Sequence, residues 1–441
     1  MAIGDRTGIL GLEAPHKATP SAAALTRILR NKWVQGALIA TCLLLIYYAT
    51  SGQSNPQNQY VRLADSFLHG RLYLQDAPAY LELARYHDNG VACPPGETGC
   101  KGFVVEPPVP AVLLMPFVAV FGVDLNQVLV SIAFGVAAMG LFWVAGRQMG
   151  WDMRLSAAMT VLLALGTNFW WAAGDGSLWQ FAHVCSVFFM MAALVEATGR
   201  KRPWLVGLLL GLAGLSRLPT FLAFPFYLHL ALRNTREQWK WREVLHDRRV
   251  ISKALLFFGG LGVMAILVMA YNYARFHTIV DLGNFHPQYA AEPWFAKGRL
   301  NISYIPRHIQ AIFYLGPDLD ENHIPFFKPS VFGMALFMVT PAFLYAFDAR
   351  MGRIEVAAAA ALALVMIPDI LHGTTGWTQF GYRFSMDYLP MLAVLAASGM
   401  EYRMGARKWL LVGLSVLIAM WGPLFFFDTR LEDMSGIQWR M

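Results

Sequence analysis

Side chains able to do chemistry are few in so apolar a chain. The first is Asp65, within the stretch NQYVRLADSFLHGRLYL that covers 58–74. Apolar residues at Tyr60, Val61, Leu63, Ala64, Phe67 and Leu68 repeat at the i, i+3, i+4, i+7 interval of a helix with one greasy face. The pattern predicts a helix lying in the plane of a bilayer surface, with Gly70 as its stop. Asp65 falls at the edge of the apolar face, at headgroup level. A carboxylate placed there suits a general base, which takes the proton from an attacking hydroxyl. The plain alternative is a solvated aspartate paired with Arg62, three residues earlier. Glu106, Asp76 and Glu82 compete for the basic role.

The cationic groups point to a phosphate. In GWTQFGYRFSMDYLP, 376–390, Arg383 and Asp387 stand four residues apart on one face of a helix start, the spacing of a structural ion pair or of a functional arginine. A guanidinium fork beside Tyr382 and Trp377 matches phosphate oxygens bidentately, and aromatics favour the membrane boundary. Arg217 lies between the apolar halves 204–216 and 218–232, with no carboxylate near it in sequence. Charge at membrane depth costs about 2.5–3.5 kcal/mol on insertion scales, so either an anionic phosphate or a carboxylate from another span is expected beside it. In DGSLWQFAHV, 175–184, His183 could orient or protonate a phosphate leaving group, while Trp179 stacks on a sugar and Gln180 hydrogen-bonds it. A structural histidine and an interfacial tryptophan are the plain alternatives. Arg307 and His308 follow Pro306 at a predicted helix start, where dipole and charge together attract an anion; a solvated arginine is the alternative. Asp318, Asp320 and Glu321 stop short of calcium-loop spacing, so no metal is assigned.

Of the four cysteines, Cys42 and Cys185 sit in apolar runs as small hydrophobes. Cys93 and Cys100 bracket CPPGETGC. On the outer side of a membrane a disulfide between them is favoured over free thiols, and zinc is disfavoured for want of a second Cys or His pair at finger-like spacing.

Positioning these groups falls to a membrane-embedded scaffold. The chain has 441 residues, 56% hydrophobic and 14% charged, against about 25% charged in soluble domains. About eleven apolar segments are read as spans: 33–50, 126–146, 155–174, 179–198, 204–216, 220–232, 254–274, 331–347, 356–371, 388–400 and 409–427. The first has no small-residue cleavage site and reads as an uncleaved anchor. Assigning 1–32, 147–154, 200–202, 233–253, 349–353 and 401–408 to the cytoplasm places most of the 35 lysines and arginines inside. The net charge of +7 thus reads as a topology signal, and nucleic acid is excluded as a partner. The fold class is all-α: a polytopic transmembrane bundle over 33–427, with a cytoplasmic tail 1–32, long outer loops 51–125 and 275–330, and an outer tail 428–441. The apolar run 109–123, interrupted by Pro110 and Pro116, would invert the later topology if it crossed, and is read as re-entrant or interfacial. No internal repeat, Walker A loop, dinucleotide glycine motif or HExxH is present, which disfavours an ATP-driven pump.

An anchor, then a long outer loop with an in-plane helix and an early acidic residue, then many spans: in this layout the chain resembles the GT-C glycosyltransferases. The polyprenyl-phosphate-dependent mannosyl- and arabinosyltransferases are among them. GLSRLPTF, YIPRHI and GWTQFGYRFSMDYLP also look like segments of bacterial membrane proteins of that kind. Many members carry Asp-Glu or Asp-Asp where this chain has Asp65-Ser66, a departure that concerns the second acidic group. The resemblance implies a polyprenyl-phosphate sugar as donor, inverting displacement, and no bound metal or cofactor. The resulting expectation is an enzyme of a bacterial-type cytoplasmic membrane with its active site on the outer face. Asp65 would act as base, and Arg217, Arg383, Tyr382, Arg307, His308, His183, Glu106, Gln180 and Trp179 would bind substrates. The acceptor would be a glycan, lipid or protein, and membrane lipids the remaining partners. A secondary transporter or flippase of lipid-linked sugar is the rival from another class, and expects a repeat and polar, broken helices at mid-membrane. A scaffold that binds lipid-linked sugar without chemistry is the other.

Overall fold

The computed structural model describes residues 31–428 apart from 53, 76, 79, 95–96, 233–246, 288–291 and 321–325. Residues 1–30 and 429–441 of the two tails, most of the basic loop 233–253, Asp76 and Glu321 lie outside the described residues. In chain order the helices are α1 (Lys32–Ala49), α2 (Gln59–Leu68), α3 (Val109–Phe121), α4 (Gln127–Gln148), α5 (Met153–Leu165), α6 (Phe169–Asp175), α7 (Leu178–Thr198) and α8 (Pro203–Gly214). They continue as α9 (Phe224–Leu232), α10 (Arg248–Phe276), α11 (Ile305–Phe313), α12 (Leu336–Val339), α13 (Arg353–Leu371), α14 (Leu389–Gly399) and α15 (Ala406–Asp428). Sheet is confined to two small antiparallel pairs. In the first, β1 (Ala84–Tyr86) pairs with β2 (Lys101–Phe103); the second joins Asp318–Leu319 to Phe327–Lys328.

Helix starts follow local chemistry. Side-chain oxygens of Asn31, Asn126, Asp152 and Asp247 accept from backbone N–H groups in the first turns of α1, α4, α5 and α10. The amphipathic stretch forms the helix α2, burying Tyr60, Val61, Leu63 and Ala64. It is followed by Gly70 at φ 71°, a left-handed stop that glycine takes without strain. Its buried face packs on α3, and the Tyr60 ring meets Phe181 of α7 edge-on at 6.1 Å.

The protein is a multi-pass, all-α membrane protein. Among the described residues, six helices are long and apolar enough to cross a bilayer: α1, α4, α7, α10, α13 and α15. A seventh span results if α5 and α6, bent by 48°, are counted as one. The other apolar segments read from sequence are short or broken. Segments 204–216 and 220–232 form α8, then a 3-10 turn (Leu218–Ala223) and α9, separated at Arg217 because an extended residue followed by Pro219 cannot continue the ladder. Segment 331–347 is the single turn α12 and a 3-10 stretch (Pro341–Asp348), and 388–400 is the 11-residue α14. The run 109–123 is the short helix α3 with Pro116 inside it. Of the eleven or so segments read as spans, six, or seven with the bent pair, thus have the helix length to cross among the described residues.

Burial ranks the spans. The apolar window of α7 is 83% buried and that of α4 72%, whereas α1 and α10 are each 17% buried and turn apolar side chains outward to lipid. Peripheral helices attach through glycine. A Cβ on Gly260 of α10 would lie 2.0 Å from the Trp204 carbonyl oxygen, and one on Gly207 of α8 2.0 Å from that of Phe257. In lipid, where apolar burial between helices gains little, such backbone approach supplies the van der Waals contact that holds them. Gly260→Val should therefore push α10 off α8 and destabilise the detergent-solubilised protein by roughly 1–3 kcal/mol, seen as a lower thermal unfolding midpoint; Gly262→Val, at a glycine with open space around its Cβ, should leave the midpoint unchanged.

Candidate functional site

Three breaks in the membrane helices converge. One is at Arg217, one lies between α5 and α6, and one is the 3-10 stretch Arg383–Tyr388 leading into α14. Irregular backbone at membrane depth persists only where protein groups satisfy it, and here they do. Asn168 Nδ2 donates to the Tyr382 carbonyl at 3.1 Å, Thr220 Oγ1 to that of Arg217 at 2.8 Å, and Val109 N to that of Leu215 at 3.2 Å. The strap after α1 clamps the α6–α7 turn. Leu178 N donates to the Gln57 carbonyl at 3.0 Å, and Asn55 Nδ2 to Asp175 Oδ1 at 3.2 Å.

At the centre Arg217 pairs with Asp387, NH2 to Oδ2 at 3.0 Å with Nε also in reach, and approaches Glu106 Oε2 at 3.9 Å. His183 Nδ1 lies 2.9 Å from Asp387 Oδ1. A carboxylate only accepts, so that nitrogen carries the proton, leaving Nε2 as a lone-pair nitrogen that is buried without a partner. Asp387 and His183 are fully enclosed, and Arg217 and Glu106 nearly so, with 12% and 16% of their side chains exposed. Arg217 thus has the carboxylate from another span, not a bare cavity, and Asp387 is not the partner of Arg383 that i, i+4 spacing implied. The 3-10 geometry aims the two side chains apart.

Arg383 is the unmatched charge. It is 7% exposed, its Nε is buried without a partner, and among the described residues no carboxylate comes within ion-pair distance, although Glu106, Glu82 and Asp387 lie within electrostatic reach. Its guanidinium carbon stands 5.9 Å from the Trp179 ring and 5.4 Å from that of Phe384. Phe384 is the hub: Arg217 also stands 5.4 Å over it, and His183, His308, His372 and Tyr382 all make ring contacts with it.

The remaining expected residues divide. His308 joins this wall, Nδ1 to the Tyr382 hydroxyl at 2.8 Å and Nε2 to the His372 carbonyl at 2.8 Å. Burial lowers its pKa from the ordinary histidine value to about 4, and burial pushes that of His372 well below its ordinary value. Arg307 turns to the Gly373 carbonyl and lies over Tyr304. Gln180 accepts from Ser177 Oγ at 2.7 Å. Asp65 is 30% exposed and its Oδ1 lies 3.5 Å from His69 Nδ1, one turn along α2. Tyr60, five residues earlier on the same helix, lies within electrostatic reach of Glu106 and Arg217, so α2 flanks the cluster. Asp65 is about 7.5 Å further along its axis.

Sequence reasoning missed Phe384, Tyr388 and Asp369. Tyr388 and Asp369 bring a hydroxyl and a carboxylate oxygen to the region, both buried without a partner. Asp369 carried a readable signal, a carboxylate inside an apolar span. Phe384 carried none, since aromatics abound here.

No family model matches the sequence, and no curated protein matches it. The fold is similar to the crystal structure of ArnT from Cupriavidus metallidurans bound to undecaprenyl phosphate, at 14% identity and a TM-score of 0.48, over 85% of this chain and 61% of that one. The chain thus spans about three fifths of the length of that protein. A likeness of this size assigns no residue a role.

Two outcomes are expected. Asp387→Ala leaves a buried, uncompensated Arg217 and should destabilise the protein by about 3–5 kcal/mol, read from detergent unfolding curves, with the double variant Asp387→Ala/Arg217→Met recovering much of the loss. Because the folded-state pKa of His308 is depressed to about 4, its contribution is present above the ordinary histidine pKa of 6.5 and lost as pH falls towards 4. His308→Gln should flatten that part of the stability–pH profile.

Proposed function

We propose that the protein is a membrane glycosyltransferase that moves a sugar from a polyprenyl-phosphate donor to an acceptor hydroxyl at the outer face of the cytoplasmic membrane. The observation that carries this is Arg383, a buried guanidinium that makes no ion pair within 4 Å among the described residues, beside aromatic rings and next to Arg217. A buried unpaired cation is costly, and a phosphate supplies what it lacks. The donor phosphate would sit on Arg383 and on the free edge of Arg217, which His183 and Asp387 hold in place.

The reaction is an inverting displacement. The acceptor oxygen attacks the anomeric carbon, the bond to the phosphate oxygen breaks, and the departing phosphate takes its charge onto the arginines. The acceptor proton passes to a carboxylate of the first long loop. Asp65 is assigned that role from the family resemblance, and its position on α2 beside the cluster is compatible with an acceptor arriving along the membrane surface. Glu106 is the second candidate, favoured by its 3.9 Å approach to Arg217.

Purified protein incubated with a panel of polyprenyl-phosphate sugars should release free lipid phosphate. Arg383→Ala should weaken donor binding by roughly 10–100-fold, the worth of one or two charge-assisted hydrogen bonds. Asp65→Asn should abolish transfer while leaving donor binding intact. Transfer that survives Asp65→Asn but not Glu106→Gln moves the base to Glu106, and donor binding with no turnover by the wild type would favour the transporter or scaffold reading.

A further inference from the structure

The first long loop carries four metal-ligating side chains that the proposed reaction does not use. His87, Cys93, Glu97 and Cys100 each offer one donor atom, and all four atoms lie within 4.8 Å of one another. Cys93 and Cys100 are joined as a disulfide with Cα atoms 6.6 Å apart, and His87 Nε2 approaches Glu97 Oε2 at 3.4 Å. The backbone that presents them is well tied. β1 pairs with β2, Tyr86 bridges Ala92, Cys93 N donates to the Arg85 carbonyl at 2.9 Å, and His87 N donates to that of Val91 at 2.8 Å. Beneath them Tyr86 and Phe103 anchor the hairpin on Phe276, and the Tyr86 hydroxyl donates to the Leu282 carbonyl at 2.8 Å. Cys93 is buried, while His87 and Glu97 are 36% and 39% exposed, leaving an open side for an ion.

We propose that these four residues form a soft-metal site that alternates with the disulfide. Tetrahedral zinc with bonds of about 2.0–2.3 Å needs donors about 3.3–3.8 Å apart, roughly 1 Å closer than the widest spacing here allows. Two thiolates, one imidazole and one carboxylate are an apt set for a Zn²⁺-class cation, with Nε2 of His87 as the ligand nitrogen. The states exclude each other, because only thiolates bind. A dithiol reductant gives two electrons and two protons to the Cys93–Cys100 bond and leaves as its own disulfide. The two thiols formed then release their protons as the metal binds. The metal takes over the cross-link between the ends of the ring, so the hairpin keeps its shape in a reducing setting. This inference does not rest on the reaction proposed above.

The test uses the full chain in detergent and Co²⁺ as probe. After reduction with dithiothreitol and anaerobic desalting, one equivalent of Co²⁺ should produce a thiolate charge-transfer band and tetrahedral d–d bands, which Zn²⁺ removes. The oxidised protein should produce neither. Cys93→Ser should abolish the bands and Cys42→Ser should not. Glu97→Gln and His87→Ala, both at half-exposed positions, should each weaken Co²⁺ binding at least tenfold. The proposal is overturned if the reduced protein takes up no Co²⁺, if the bands survive Cys93→Ser, or if neither Glu97→Gln nor His87→Ala changes the affinity.

Discussion

A buried ion pair between Arg217 and Asp387 constrains everything around it. Two full charges in a low-dielectric interior are tolerated only if each satisfies the other and the leftover donors and acceptors find partners. Asp387 meets that condition with Arg217 on one oxygen and His183 on the other. Both charges sit where the chain leaves the α-helical path, Arg217 extended ahead of a 3-10 turn and Asp387 within a 3-10 stretch. Pro219 and the 3-10 stretch Arg383–Tyr388 are the local means. The break at Arg217 and the 3-10 stretch before α14 meet at this ion pair.

The same arrangement leaves the cluster asymmetric. Arg217 is neutralised within the protein, whereas Arg383, one residue from the shared Phe384 ring, has aromatic faces for company. A cation on a ring face recovers only part of what it loses on leaving water. Arg217 is held and oriented by Asp387, whereas Arg383 brings the charge that a ligand has still to match. The difference is one of surroundings, since the residue type is the same.

Around this centre the two long loops are tied to each other and to the helix ends. Arg275, at the end of α10, donates to the Val104 carbonyl at 3.0 Å and lies 4.0 Å over the Tyr271 ring. His286 Nε2 lies 2.8 Å from the Arg85 carbonyl oxygen, and Gly373 N donates to that of Arg299 at 3.0 Å. The two loops are therefore connected to each other and to the helix ends.

Some of this was legible in the residues alone. The membrane class follows from composition, α2 and its stop at Gly70 from a 3.6-residue period and one glycine, and most helix positions from runs of apolar residues. These are local properties, set by neighbours within a turn or two. The division at Arg217 was legible as well, since 204–216 and 220–232 read as separate short segments; what the pattern could not show was that 331–347 and 388–400 form no full-length helix. Nor could it show partners. Asp387 reads as the mate of Arg383 at i, i+4 and proves to be the mate of Arg217, 170 residues away in sequence. Likewise Cys93 and Cys100 lack a second pair at finger-like spacing, yet His87 and Glu97 fold onto them. Periodicity and composition decided which elements form, because those depend on short-range backbone and solvation energies. Which charges meet, and which one is left without a mate, was decided only when distant helices packed, because a Coulomb interaction depends on separation in space and not along the chain.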